Sequence, residues 1–254
     1  MASWSSVRKH PRVIGLGPDP DFPYLAWDDW FPFPKPKARS SVVVSGGNLS
    51  PGMLLSAYRQ GCFPWYSEGE PLLWWNPDPR FVLFPGKLHI GESLRKTLKK
   101  NPFIVTFDTA YEQVIRSCAD TKRPGQEGTW ITEDVVQGYL ELHHLGFSHS
   151  TEVWVEKAGQ RQLVGGLFGE LLGQLYFGES MFSHQSNASK VGFVKTVELL
   201  TRQFAIQLID CQVHTEYLES FGAEEIPRPT FLEFVTNLTA AWTGHRGLWK
   251  PTAN

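Results

Sequence analysis

The residues best suited to do chemistry fall in two runs. Phe177-Gly-Glu-Ser-Met-Phe-Ser183, followed by Asn187-Ala-Ser-Lys190, puts the carboxylate of Glu179 at the end of a strand-like run and gathers Ser, Asn and Lys around a helix start. Donors at a helix N-terminus suit anionic or carbonyl oxygens. A structural reading competes, in which Ser186 or Asn187 caps the helix and Glu179 pairs locally. The second run is Leu208-Ile-Asp210-Cys-Gln212, where alternation along a strand sends Asp210 and Gln212 to one face. A carboxylate two residues from an amide can hydrogen-bond it, polarise its carbonyl oxygen and help it take a proton from an attacking amine. An Asp-x-Gln can equally be a satisfied structural network, so neither run decides alone.

Three further groups bear on binding. A helix from about Gly91 to Lys100 carries Ile90, Leu94 and Leu98 on one side and Arg95, Lys96, Lys99 and Lys100 on the other, with Glu92 in partial compensation. Such a face can meet RNA phosphates or simply be solvated. Trp65, Trp74, Trp75 and Trp130 stand beside turn-forming or polar residues, places where tryptophan lines pockets or staples a core. His143, His144 and His149 have no partner at metal-ligand spacing and read as structural.

The elements that must position these residues follow from pattern. Residues 1 to 40 are rich in Pro, Asp and aromatics without periodicity, and read as an irregular arm on the body. A helix starts at Ser50 as N-cap with Pro51 at N1 and stops at Gly61. Leu72 to Arg80 reads as a loop because of its two prolines, and a strand follows at Phe81 to Phe84. Next come a strand at Phe103 to Phe107, a helix capped by Asp108, and a helix from Thr132 to Gly146. Strands over Ser150 to Glu156, Gln162 to Phe168 and Gln174 to Gly178 form a meander at the sheet's centre. A helix from Asn187 to Gln203, a strand at Ile206 to Cys211 and two shorter helices close the chain. This order predicts an α+β fold, a mixed sheet flanked by helices on both sides.

Composition narrows the classes. A net charge of −2 gives no global attraction for nucleic acid, so any RNA contact must be local. Three separated cysteines, Cys62, Cys118 and Cys211, suit reduced thiols and offer no zinc pair. No apolar stretch follows Arg8, Lys9 and Arg12 to make a secretory signal, and no run is long enough to cross a membrane. A cytoplasmic monomer without metal or cofactor is expected.

In order along residues 44 to 231, the chain resembles the bacterial leucyl/phenylalanyl-tRNA protein transferases. The motifs that carry this are Gly46-Gly-Asn-Leu-Ser-Pro51, Leu54-Leu-x-Ala-Tyr58, Gly61-x-Phe-Pro-Trp-Tyr66, Trp74-Trp-x-Pro-Asp-Pro-Arg80, Gly128-Thr-Trp-Ile131, Leu163-Val-Gly-Gly166, Gly178-Glu-Ser-Met-Phe-Ser183, Asn187-Ala-Ser-Lys190, Leu208-Ile-Asp-Cys-Gln212 and Gly222-Ala. Asn48 and Tyr217 depart from the family's usual Asp and His. The resemblance implies an N-terminal arm and small lobe over residues 1–78 and an acetyltransferase-like (GNAT) catalytic domain over residues 79–254. It implies transfer of Leu or Phe, less well Met, from aminoacyl-tRNA to the N-terminal Arg or Lys of acceptor proteins, marking them for degradation. Trp65, Trp130, Leu167 and Phe177 would form the aminoacyl and adenosine pocket, with Glu179 and Ser180 holding the substrate. Asp210 would orient Gln212, whose carbonyl oxygen draws the proton from the attacking amine. Arg95, Lys96, Lys99 and Lys100 would hold the acceptor stem. Neither ATP nor a metal is needed, because the aminoacyl ester is already activated. The rival readings are an acyl-CoA N-acetyltransferase, for which no phosphate-cradling Gly turn is found, a non-catalytic RNA-binding module, and a glycosidase built on Glu179 and Asp210.

Overall fold

Two sheets carry the chain in a computed structural model that describes residues 17–38, 40–121, 128–240 and 249. Arg8, Lys9, Arg12 and the first sixteen residues of the arm lie outside the described residues. The smaller sheet has the order β1-β3-β2, from Val42–Ser45 (β1), Phe63–Pro64 (β2) and Leu73–Trp75 (β3). The expected loop across Leu72 to Arg80 is therefore wrong at its start. Pro77 and Pro79 lie after the ladder, so they remove no hydrogen bond from it, and Trp74 is fully buried with its Nε1 donating to Gly46 O at 2.9 Å.

The larger sheet has seven strands in the order β10-β4-β9-β8-β7-β6-β5. Its members are Arg80–Leu83 (β4), Ile104–Phe107 (β5), Ser148–Lys157 (β6), Gln160–Leu172 (β7), Leu175–Ser183 (β8), Leu208–Gln212 (β9) and Glu224–Ile226 (β10). The meander β6-β7-β8 is antiparallel, and β8 pairs parallel with β9. A parallel pair needs a crossover, and the helix Ala188–Phe204 supplies it. The mixed sheet with helices on both faces is as expected from the element order. The short edge strand β10 was not read from the sequence, since Glu224 and Glu225 give it no apolar signal.

The helices are Pro51–Tyr58 (α1), Glu92–Lys100 (α2), Tyr111–Ala119 (α3), Glu133–His144 (α4), Ala188–Phe204 (α5), Glu216–Glu219 (α6) and Arg228–Ala240 (α7). Each face of the large sheet has its own core. On one, α1, α3, α4 and α7 contribute Leu54, Tyr111, Val135 and Phe231 around Phe168 and Phe177. On the other, α2 and α5 contribute Leu94, Val191, Val194 and Leu200 around Leu83, Val153 and Leu167. Neighbours Leu167 and Phe168 thus face opposite ways, as strand alternation requires. Gly165 makes room for the start of α5, since a Cβ there would sit 2.7 Å from that of Ala188.

Two caps differ from expectation because their side chains are used elsewhere. Ser50 precedes α1 but makes no cap bond; its Oγ accepts from Leu25 N at 3.1 Å and donates to Asn48 Oδ1 at 2.6 Å. Asn48 Nδ2 in turn donates to Phe22 O and Pro23 O, which a carboxylate could not do, so the departure from Asp at this position ties the arm to the helix start. Asp108 does not cap α3, whose N-cap is Ala110; its carboxylate instead accepts from Ser150 N and binds His149 Nδ1 at 2.9 Å. Arg228 stitches the two sheets, donating to Ser40 O and Asn76 O at 2.8 Å while its backbone N–H donates to Asp78 Oδ1.

Candidate active site

The site begins where pairing ends. Strands β8 and β9 run in register from Leu175↔Leu208 to Phe177↔Asp210, and the residues beyond on both strands line a cavity of about 670 Å³. That volume suits a small organic group with some room for solvent. Trp65 and Trp130 reach it from the small sheet and from the segment before α4, and Leu167 and Met181 come from the large sheet. Trp65 is fixed from behind, its ring 5.4 Å from that of Trp75 and its carbonyl accepting from Trp75 Nε1 at 2.7 Å.

Glu179, Ser180, Asp210 and Gln212 line the same cavity. Of the residues that the resemblance assigns to the pocket, Phe177 is the exception. It is fully buried, outside the cavity lining, and its ring packs 4.9 Å from that of Tyr58. Tyr58, against which it packs, is the same residue whose hydroxyl reaches Glu179, so Phe177 supports the floor and does not form the wall.

Asp210 and Gln212 are joined differently from the expected side-chain contact. Asp210 is fully buried and makes a two-pronged ion pair with Arg80, Nε to Oδ1 at 2.8 Å and Nη2 to Oδ2 at 2.6 Å. Its Oδ1 also accepts the backbone N–H of Gln212 at 2.9 Å. Gln212 has φ +63°, which takes it off strand alternation and lets its side chain turn toward β8. There its Nε2 donates to Glu179 Oε1 at 2.8 Å. Among the described residues nothing donates to Gln212 Oε1, and this oxygen is not sealed, so it is presented to the cavity. Asp210 orients the backbone that carries the amide; Glu179 orients the amide. A carboxylate already locked to Arg80 is poorly placed to be a glycosidase acid or nucleophile.

Three residues at this site were missed in the sequence. Arg80 lies between the rings of Phe63 and Phe231, 4.7 and 4.4 Å from their centroids, at the first position of β4. A charge opening an otherwise apolar strand was the available signal. Tyr58 stands out in the sequence only as the last residue of the Leu54-Leu-x-Ala-Tyr58 motif, and nothing there singles out Tyr139. Their hydroxyls meet at 2.5 Å, and Tyr58 donates to Glu179 Oε1 at 2.8 Å while Tyr139 approaches Oε2 at 3.4 Å. Burial raises both phenols well above their ordinary pKa, with nearby carboxyl charge adding to it, so they act as donors. Burial also pushes Glu179 up to about 7, against hydrogen bonds from Glu170, Tyr58 and Gln212 that favour its charged form.

Arg95, Lys96, Lys99 and Lys100 are exposed on α2, and Lys96 meets Glu92 at 3.0 Å. Thr97 of this helix accepts from Asn187 Nδ2 at 3.2 Å, and Ser189, two residues on, lines the cavity. The basic helix therefore docks beside the cavity's rim. Tyr217, the second departure from the family pattern, lies across that rim and bonds Ser189 Oγ at 2.9 Å. None of His143, His144 and His149 lines the cavity.

This is an α+β protein whose central sheet opens into an apolar, tryptophan-walled cavity with hydrogen-bonded carboxyl and amide groups on its floor, and its relatives are transferases by name. A family model described as leucyl/phenylalanyl-tRNA protein transferase matches residues 82–236, and one for the N-terminal domain of the same proteins matches residues 47–78. A leucyl/phenylalanyl-tRNA protein transferase of Myxococcus xanthus is 51% identical over 219 residues, covering 86% of this chain and 91% of that protein. Its counterpart from Stutzerimonas stutzeri is 54% identical over 194 residues, 76% of this chain and 83% of the relative. A solved Staphylococcus epidermidis protein of unknown function shares 11% identity over 59% of this chain and 57% of its own, at TM-score 0.39, too slight to bear on the fold. The chain belongs to the leucyl/phenylalanyl-tRNA protein transferase family.

Proposed function

We propose that the protein transfers leucine or phenylalanine from aminoacyl-tRNA to the N-terminal Arg or Lys of acceptor proteins, which marks them for degradation. The observation that carries this reading is a single cavity with aromatic and aliphatic walls and a polar floor of Glu179 and Gln212. Trp65, Trp130 and Leu167 bind the aminoacyl side chain and the terminal adenosine, and Ser180 lies within the same wall. Shape selection by apolar walls is worth about 1–3 kcal/mol, so Met enters as a poorer substrate. The acetyltransferase-like fold and the division at residue 78 belong to this same reading.

The ester linking amino acid to tRNA is activated before it arrives, so positioning does much of the work. The acceptor's α-amine attacks the ester carbonyl, the new C–N bond forms, and the bond to the ribose oxygen breaks. Gln212 Oε1 accepts a hydrogen bond from the attacking N–H and draws the proton off as nitrogen becomes positive. The departing ribose oxygen takes up a proton, so none is gained or lost overall. Asp210 and Arg80 hold the Gln212 backbone in place.

The test is incubation with labelled Phe-tRNA or Leu-tRNA and a peptide beginning with Arg, without ATP or acyl-CoA; labelled peptide is expected, and its absence overturns the reading. For α2, reversing the charge of Arg95, Lys96, Lys99 and Lys100 together is expected to weaken tRNA binding at least tenfold at low salt. Each lost phosphate contact flattens the slope of log affinity against log salt by about 0.7–0.9. Unchanged affinity and slope would make α2 a solvated face.

A further inference from the structure

Behind Glu179 sits a second carboxyl group that the reaction described above does not use. Glu170 lies on β7, wholly buried. Ser148 Oγ donates to its Oε1 at 2.8 Å and is itself bonded to the Tyr111 hydroxyl at 2.6 Å. The other oxygen, Oε2, is sealed from solvent and receives no hydrogen bond from any amide, hydroxyl or cation among the described residues. Glu179 lies within hydrogen-bonding reach of Glu170. Two carboxyl groups can bond only if one carries the proton, and two adjacent ionised carboxylates in an enclosed site repel. A sealed carboxyl oxygen without a donor, on a side chain within reach of a second carboxyl group, is accounted for when its own carboxyl carries the proton and donates it to that neighbour.

Donor supply decides which group is neutral. Glu179 is reached by Tyr58, Gln212 and, at longer range, Tyr139, whereas Ser148 serves Glu170, with Tyr58 near both. The charge belongs on the better-solvated member. We propose that Glu170 is a buried neutral carboxylic acid that donates a hydrogen bond to Glu179, keeping Glu179 ionised and turned toward Gln212, and is thus a positioning residue for aminoacyl transfer. Burial and the neighbouring Glu179 raise the Glu170 carboxyl well above the ordinary range, in agreement with the geometry. The other titratable groups around the pair are the phenols of Tyr58 (α1), Tyr111 (α3), Tyr139 (α4) and Tyr176 (β8), together with Asp210 (β9), whose charge is matched by Arg80 (β4). Glu170 thus takes part in setting the pH at which the floor of the site becomes charged.

The inference rests on the transfer reading for its kinetic arm, while an infrared arm stands apart from activity. In substrate-free protein at about pH 8.5, where ordinary carboxyls are ionised, a carboxylic-acid carbonyl band is expected that disappears in Glu170→Gln. Its absence from the parent protein, or its survival in that variant, overturns the proposal even if Glu170→Leu fails to fold. In transfer assays the rate is expected to fall as pH drops through about 7, where Glu179 takes up a proton. Glu170→Leu removes the donor, so this acid limb should move up by about one pH unit, and Glu170→Gln, which keeps a donor, should restore it. An unmoved limb would make the role purely structural. A downward move would mean that Glu170 had been the charged member, and either result rejects the proposal. Loss of transfer in the parent protein would reject the functional reading instead, with the infrared result still deciding where the proton sits.

Discussion

Alanine in place of Asp210 is expected to destabilise the fold by about 3–5 kcal/mol, because it strands the Arg80 guanidinium without a counter-charge in a site closed to solvent. That guanidinium lies between Phe63 and Phe231, and among the described residues its Nη1 already has no hydrogen-bond partner. Among the described residues no hydrogen bond of the guanidinium remains to offset the loss. Set against a total stability of about 5–15 kcal/mol, the change brings the variant close to unfolding. In urea titrations the midpoint should fall with the slope unchanged. Lost transfer in this variant therefore cannot by itself assign Asp210 a chemical role. The informative partner is the double replacement Arg80→Met with Asp210→Leu, since removing a buried pair entirely is often neutral in stability. It is expected to recover the fold but not the transfer activity, because the anchor on Gln212 N–H is still missing. An Asp210→Ala protein as stable as its parent would refute this account of the pair.

The Asp210 case also shows what could be read from the sequence. The α+β order, the meander and the amphipathic α2 were legible because period-2 and period-3.6 patterns and their Gly and Pro boundaries are local signals. Trp65, Trp130, Leu167, Glu179, Ser180, Asp210 and Gln212 meet at one cavity, although they come from segments more than a hundred residues apart. What stayed hidden was pairing across the fold. Asp210 was expected to reach the amide two residues away, but Arg80, 130 residues distant, takes its carboxylate and leaves it the backbone N–H. The left-handed turn at Gln212 then redirects the amide to Glu179, and alternation cannot anticipate a positive φ at a residue other than glycine or asparagine. Tyr58 and Tyr139 escaped notice for a related reason. A helix pattern scores the ring as core and says nothing about where a single hydroxyl finds its partner.

Gln212→Ala should give the largest loss of activity with the least structural damage, a fall in single-turnover transfer of about 10²–10⁴-fold. The side chain sits at the rim of β9, and its removal leaves Glu179 with the Tyr58 hydroxyl at 2.8 Å, so no buried charge is orphaned. Backbone strain is unchanged, since Ala meets the same cost at φ +63°. Thermal stability should then stay near that of the parent, and binding of charged tRNA should persist, because the apolar walls and the exposed cations of α2 are untouched. Gln212→Asn sharpens the test. Asparagine tolerates the left-handed backbone and keeps an amide, but it is one methylene short, so its carbonyl cannot occupy the same point while its NH2 reaches Glu179. If only an amide in the neighbourhood were needed, Asn would rescue transfer; if the position of the oxygen matters, Asn should resemble Ala. A folded, tRNA-binding Gln212→Ala protein that transfers at the parent rate would remove Gln212 from the chemistry altogether.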